Sequence, residues 1–456
     1  MKIVFAFILT FITAIATGQT SCDEMYSKKF TKAELDTDIS FMREKILNAH
    51  INPFTEITKE EFEANIQQIR SSLKDSMSQK EFYFLVKPVI VKLNDEHSAL
   101  GDFCIPDSIK KSTKIFPLRF RYMDNKVILT ESISDENLVI GDELLSINNI
   151  PVAEIVNNCS QSVFGIADER KTIFVENLGN YISRFCYFIP DNYQMKFKSG
   201  KEAVIKRLGI EEVKKKMESI KKPATSNAVI AYEKINESGY LTVNSFGMGG
   251  NYTMERWRQM IDSIFTIIQK DSIRHLVIDV SNNGGGNSAI GNIFIDHFSD
   301  KSYRQYGGSW KRSDEYADFM KSIKMEYAPY QNTQNGELLA LGGGLTKPSK
   351  TKNRFTGKTY VLVGGNTFSS AMMFAVMVLD NKLATVAGQT PSKGHPNHFG
   401  ELIGFRTPNT QLEFRFGVKE WIRPSGVLTN NKLIPDIIFD FSGKSKEEII
   451  RYLTTH

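Results

Sequence analysis

The run Leu276-Val277-Ile278-Asp279-Val280-Ser281-Asn282-Asn283-Gly284-Gly285-Gly286 constrains this chain more than any other segment. A short β-prone stretch bounded by turn residues reads as a buried strand. The three glycines behind it permit backbone conformations closed to other residues, so the chain turns sharply there before a helix begins. The same grammar extends on both sides. Strand Gly239–Phe246, helix Met254–Gln269, strand His275–Val280 and helix Asn287–Phe298 follow one another. After an irregular stretch from Tyr303 to about Arg354 come strand Thr359–Gly364, helix Ser370–Leu379 and strand Lys382–Gly388. Alternation of this kind predicts an α/β fold with a largely parallel sheet covered by helices. A glycine turn between strand and helix can aim backbone N–H groups at an anion, with the helix dipole adding to them. The plainer reading is a mere connection. A dinucleotide fingerprint, Gly284-x-Gly286-x-x-Ala289, is disfavoured because no acidic strand end follows in a clear βαβ unit.

Ahead of this region the pattern is different. From Thr31 to about Leu93 it is helical, with a capping box at Thr58-Lys59-Glu60-Glu61 and Phe62, Ile66 and Ile69 at helical spacing. A helix from Gln79 to Leu93 ends in Asn94-Asp95-Glu96-His97-Ser98. Short strands occupy about Lys114 to Arg207, among them Phe116–Phe120 and Lys126–Leu129. The patterned piece Asn137 to Val152 resembles the core of a PDZ domain, although the Gly-rich carboxylate-binding loop of such domains is not visible. Lys221 to Asn227 reads as a linker. The expected organisation is 19–110 helical, 111–208 a PDZ-like β module, 209–227 a linker, 228–445 the α/β core and 446–456 a C-terminal helix or tail.

Residues 1–18 read as a signal peptide. Lys2 is followed by an apolar run from Ile3 to Ala16, too short to span a bilayer comfortably, and Ala16-Thr17-Gly18 places small residues before a cleavage at Gln19. Cys22 raises the thought of lipidation, but Gln19-Thr20-Ser21 lacks the residues of a lipoprotein signal. No later stretch is apolar enough to span a membrane, so the expected product is exported, in the periplasm or outside the cell. A net charge of +5 over 456 residues, with no basic face, gives no reason to expect nucleic acid as a partner. The cysteines are Cys22, Cys104, Cys159 and Cys186; none forms a C-x-x-C pair, which argues against a zinc site. Three full pairings are open to them, of which Cys159–Cys186 is the first to test.

Chemistry-bearing residues gather in four places. The first is the glycine turn at 284–286. In the second, Tyr360-Val361-Leu362-Val363-Gly364-Gly365-Asn366-Thr367-Phe368-Ser369-Ser370, two serines stand at a helix start. A serine there serves as an N-cap or, in the field of the helix N-terminus, as a nucleophile. The third is Asp95-Glu96-His97-Ser98, where a lone histidine at a helix end is by itself a capping or surface residue. The fourth is the loop-like Gly388 to Glu401, with Lys393, His395, His398 and Glu401.

Together these segments resemble the tail-specific, or C-terminal processing, serine peptidases and their tricorn-like and retinoid-binding relatives. Asp95, His97 and Ser98 match one family mark. Asp279, Asn283, Gly285 and Gly286 match another, with Ser281 where the family has Arg. Thr367-Phe368-Ser369-Ser370-Ala371 matches the nucleophile segment, Gly388-Gln389-Thr390 a loop, and Pro435-Asp436 a closing strand entry. The resemblance implies a crotonase-like, Clp-protease-like peptidase core behind an N-terminal helical part and a PDZ-like module. It implies Ser369 as nucleophile, and the N–H groups of Ser370 and of Gly285 or Gly286 as oxyanion hole. Its processing-type members use a lysine as base, matched by Lys393, together with a glutamate where this chain has Met372. Its tricorn-like members use a histidine, matched by His97. His97 is the preferred base and Lys393 the alternative; Glu401 and Asp436 are candidates for the group that orients it. The implied activity is hydrolysis of a peptide or protein substrate through an acyl-enzyme, with no metal or organic cofactor. The rival reading is a non-catalytic binding protein on the same fold.

Overall fold

The structure, a computed structural model, describes residues 21–111, 114–182, 191–219, 228–429 and 431–455. The expected signal peptide, the 220–227 part of the linker and Cys186 lie outside the described residues. Cys159 is disulfide-bonded, while Cys22 and Cys104 are free thiols.

A six-stranded sheet forms the centre of the second half. Its order is Ile230–Ile235, Ser238–Val243, His275–Asp279, Lys358–Val363, Thr385–Gly388 and Ile437–Ile438. The first pair is antiparallel and the rest are parallel. Because successive side chains on a strand point to opposite faces, each strand feeds two cores. Leu276, Ile278, Val361 and Val363 face the helices Met254–Asp271, Ala289–Phe298 and Ser370–Asp380. Val277, Tyr360 and Leu362 face the C-terminal helix Lys446–Thr455. Helix Met254–Asp271 buries Trp257, Ile261, Phe265 and Ile268, one side of a 3.6-residue period. Helix Ser370–Asp380 is buried on nearly all sides, as its run of Ala, Met, Phe and Val requires.

A second sheet contradicts two expectations from the sequence. Its order is Leu338–Gly342, Gly307–Lys311, Glu413–Ile422 and His398–Arg406, all antiparallel. The stretch from Tyr303 to Arg354 therefore is not irregular; it supplies two strands of this sheet and the helix Asp314–Ser322. Likewise, the end of the 388–401 segment is strand from His398 onward rather than loop. Phe414, Phe416 and Val418 alternate with exposed Glu413 and Arg415, a period-2 pattern that a strand requires.

The N-terminal helices Lys32–Ala49, Lys59–Ser71 and Gln79–Val91 pack on this second sheet in one core. Each begins with a capping box, on Thr31, Thr58 and Ser78. Buried Asp38 accepts from the Asn409 and Thr410 N–H groups at 2.9 and 2.7 Å, tying helix to hairpin turn. The chain after Gln79–Val91 then adds Ala99–Leu100 to strand Glu413–Ile422, with Ala99 opposite Arg415 and Leu100 opposite Phe414. This pairing carries the 94–98 turn to the α/β core. Between the two halves, Leu118–Met123 pairs with Lys126–Ser132, and a four-stranded sheet holds Leu144–Ile147 and Asn192–Phe197 at its centre. Helix Val152–Ser160 and Leu129, Ile155, Phe174 and Ile205 share its core. Among the described residues no helix is long and apolar enough to cross a membrane.

Candidate active site

Strands His275–Asp279 and Lys358–Val363 run side by side, so the turns at their C-terminal ends must meet. Thr367 Oγ1 donates to the Val280 carbonyl at 2.9 Å and accepts from the Gly364 N–H at 3.0 Å. The Phe368 N–H donates to the Asn283 carbonyl at 3.1 Å. Asn283 Oδ1 in turn accepts from the Gly285 N–H at 2.9 Å. Gly285 and Gly286 have φ of +100° and +140°. A Cβ on Gly286 would stand 2.1 Å from the Phe246 carbonyl oxygen, so only glycine fits.

Ser369 precedes helix Ser370–Asp380 with φ +50° and ψ −124°, a conformation costly to a residue with a Cβ. Its side chain makes no capping bond to that helix, which answers the N-cap reading. The hydroxyl instead lies 3.3 Å from His97 Nε2. Such a strained strand-to-helix turn presents a hydroxyl at the top of a sheet. The next residue, Ser370, donates through Oγ to the Gly286 carbonyl at 2.7 Å. As first residue of the helix, Ser370 has an N–H with no intrahelical acceptor.

His97 is placed by Asp95. The buried Asp95 carboxylate accepts from the His97 N–H at 2.7 Å, the Ser98 hydroxyl at 2.8 Å and the Gly417 N–H at 2.9 Å. His50 Nε2 lies 3.6 Å from the same carboxylate. Burial would raise the Asp95 pKa, but the His50 and His97 contacts outweigh it and hold the carboxyl well below the usual range. Asp95 thus pins the turn to strand Glu413–Ile422. The His97 ring stacks on Phe368 with centroids 5.2 Å apart. Burial lowers the His97 pKa, with Asp95 partly opposing, so the imidazole is neutral at pH 7. Its Nδ1 is buried, 3.9 Å from Glu96 Oε1 and 4.0 Å from Asp95 Oδ1. His398, 5.9 Å from His97 between ring centroids, is pushed down to about 4 by burial and by the neighbouring imidazole.

The other expected residues lie in different places. Lys393 is half-buried with its ammonium 6.0 Å from the Phe368 ring centroid, and no hydrogen bond joins it to Ser369 among the described residues. Glu401 accepts from Tyr316 at 2.9 Å and from Lys419 at 2.9 Å. Asp436 accepts from the Val386 N–H at 2.9 Å. Each is thereby committed away from His97. Ser281, in the place of the family's arginine, is buried, and a Cβ on Gly364 would come within 2.9 Å of its own. Met372 is part of the apolar core.

Sequence reading missed Glu96, Glu169 and Asp168. Glu96 is buried beside His97 and is pushed up to about 7, burial being the main cause. Glu169 is likewise raised to about 7 by burial. Burial would lower His395, but Asp168, Glu96 and Glu169 outweigh it and push it up to about 10. Adjacent acidic residues at 168–169 carry no local signal that a histidine more than two hundred positions later meets them.

The model of peptidase family S41 matches residues 237–439. No curated protein matches the chain. Among solved structures, mature CPAF complexed with lactacystin is similar at 14% identity and a TM-score of 0.62, over 93% of this chain and 97% of that one. Mature CPAF alone is similar at 14% identity and a TM-score of 0.61, over 93% and 96%.

Proposed function

The chain is a serine-type peptidase of family S41 through residues 237–439, and from this premise we propose that it cleaves peptides or protein tails through an acyl-enzyme on Ser369. The observation that carries this is the 3.3 Å approach of His97 Nε2 to a Ser369 hydroxyl that caps nothing. His97 takes the proton as Ser369 Oγ attacks the scissile carbonyl, then returns it to the leaving amine. A neutral imidazole does this without help, whereas no hydrogen bond joins Lys393 to Ser369 among the described residues. The tetrahedral oxyanion is stabilised by the N–H of Ser370 and of Gly286, each donor contributing about 3–4 kcal/mol. Gly286 is preferred over Gly285 because the Gly285 N–H is already given to Asn283.

The finer architecture belongs to the same proposal: a crotonase-like core over 228–445, a helical part over 19–110 and a PDZ-like module over 111–208. So does export after removal of residues 1–18. The test is labelling of the full chain with a fluorophosphonate probe. A label on Ser369, absent in Ser369→Ala, is the expected result; a folded wild-type chain that takes no label overturns the proposal.

A further inference from the structure

Beside the Ser369–His97 pair lies a buried group of donors that the peptidase chemistry does not use. His395 is 5% exposed and its Nδ1 has no hydrogen-bond partner. That nitrogen stands 3.4 Å from Glu169 Oε1 and 3.7 Å from Glu96 Oε2. On the far side of the ring, Nε2 lies 3.4 Å from Asp168 Oδ2. The Asp168 carboxylate favours the tautomer with hydrogen on Nε2, which aims the Nδ1 lone pair at two further carboxylates. With its Nδ1 proton removed, the imidazole and the two carboxylates are three acceptors facing one another, so either that proton or a bound cation stands between them. Arg170, next to Glu169 in the chain, is occupied by Glu56 at 2.6 Å and by the Val91 carbonyl. Lys432 acts electrostatically on Asp168.

We propose that Glu96, Glu169 and His395 bind one divalent transition-metal cation, with zinc the best chemical match. One imidazole nitrogen and two carboxylates form a donor set that zinc accepts, at bonds of roughly 2.0–2.2 Å. Tetrahedral bonds of that length put donor atoms roughly 3.3–3.6 Å apart, close to the 3.4 and 3.7 Å observed. One atom from each of the three residues lies within 4.8 Å of the others. Asp168 then occupies the place of the outer carboxylate that holds a ligating histidine. The cation would clasp the 94–98 turn, the 168–169 segment and the loop before strand His398–Arg406. Glu96 connects it to the base, since its other oxygen lies 3.9 Å from His97 Nδ1. The site contains no thiolate, so the cysteine spacing has no bearing on it.

The test uses the full chain carrying Cys22→Ser and Cys104→Ser, stripped with a chelator and titrated with Zn²⁺ against a chromophoric competitor. The expected result is one equivalent bound with a raised melting temperature. Co²⁺ should give a visible d–d band without thiolate charge-transfer absorption. Asp168→Asn should weaken binding by roughly 10–100-fold, and Glu169→Gln and His395→Ala by more. Ser369→Ala should bind as tightly as the parent, so the outcome does not depend on the peptidase mechanism. If the parent binds no stoichiometric metal, a proton fills the site and the proposal is wrong. Unchanged affinity in Glu169→Gln, an isosteric change that decides the matter should His395→Ala not fold, overturns it equally.

Discussion

His97 Nε2 stands 3.3 Å from Ser369 Oγ, although 272 positions separate the two residues in the chain. The approach depends on Asp95 from one side and on the strained backbone of Ser369 from the other. Each support can be removed separately.

The two adjacent serines should behave differently. Ser369→Ala is expected to abolish peptide hydrolysis and fluorophosphonate labelling. Ser370→Ala should keep most activity, because it removes only the bond to the Gly286 carbonyl, while its backbone N–H remains. Steady-state kinetics and labelling of both variants check this; the reverse pattern would falsify the nucleophile assignment.

Replacing the base should separate His97 from Lys393. His97→Ala is expected to lower kcat/KM by roughly 10²–10⁴-fold, the contribution of a positioned general base, with Lys393→Ala mild. The pH profile carries the same information. Burial lowers the His97 pKa, so kcat/KM should be flat at neutral pH and fall only below the ordinary histidine range of about 6.5, as the ring gains its proton. Activity that instead climbs through the alkaline range and vanishes in Lys393→Ala would assign the base to Lys393.

Asp95→Asn tests the anchor of the histidine turn. Asn has one acceptor oxygen where Asp95 serves the His97 and Gly417 N–H groups and the Ser98 hydroxyl. A donor left facing a donor costs about 1–3 kcal/mol, and kcat should drop with it. The folded-state pKa of Asp95 lies below its unfolded value. Its stabilisation is therefore present above pH of about 4 and is lost on acidification. Denaturant melts of wild type and variant should differ at pH 7 and converge toward low pH.

Neighbouring glycines give a steric contrast. A Cβ on Gly285 would stand 2.8 Å from Ser369 Cβ and 2.9 Å from the Ser370 nitrogen, at a φ of +100°. Gly285→Ala should lose labelling and about 1–3 kcal/mol of stability. A Cβ on Gly284 meets nothing within 4 Å, so Gly284→Ala should melt and label like the wild type. Equal behaviour of the two variants would remove the packing argument for the glycine turn.

Export has its own measurement. Mass spectrometry of the native protein should find a chain beginning at Gln19; an intact Met1 in the cytoplasmic fraction ends that proposal.

Elements whose cause is local were legible in the amino-acid order. The capping boxes at Thr31, Thr58 and Ser78 satisfy helix N–H groups from three residues away. The strand, glycine turn and helix around Gly284–Gly286 and around Ser369 follow from short windows of backbone preference. Tertiary structure alone decided what stands beside what. Strand Glu413–Ile422 was not among the strands expected from the sequence, and its pairing with Gly307–Lys311 and with Ala99–Leu100 is long-range. That pairing brings the 94–98 turn over Ser369, and so places His97, rather than Lys393, at hydrogen-bond distance. The meeting of Glu96, Glu169 and His395 depends on the same packing. A carboxylate in sequence says nothing of its solvation, and only the fold took these three out of water together.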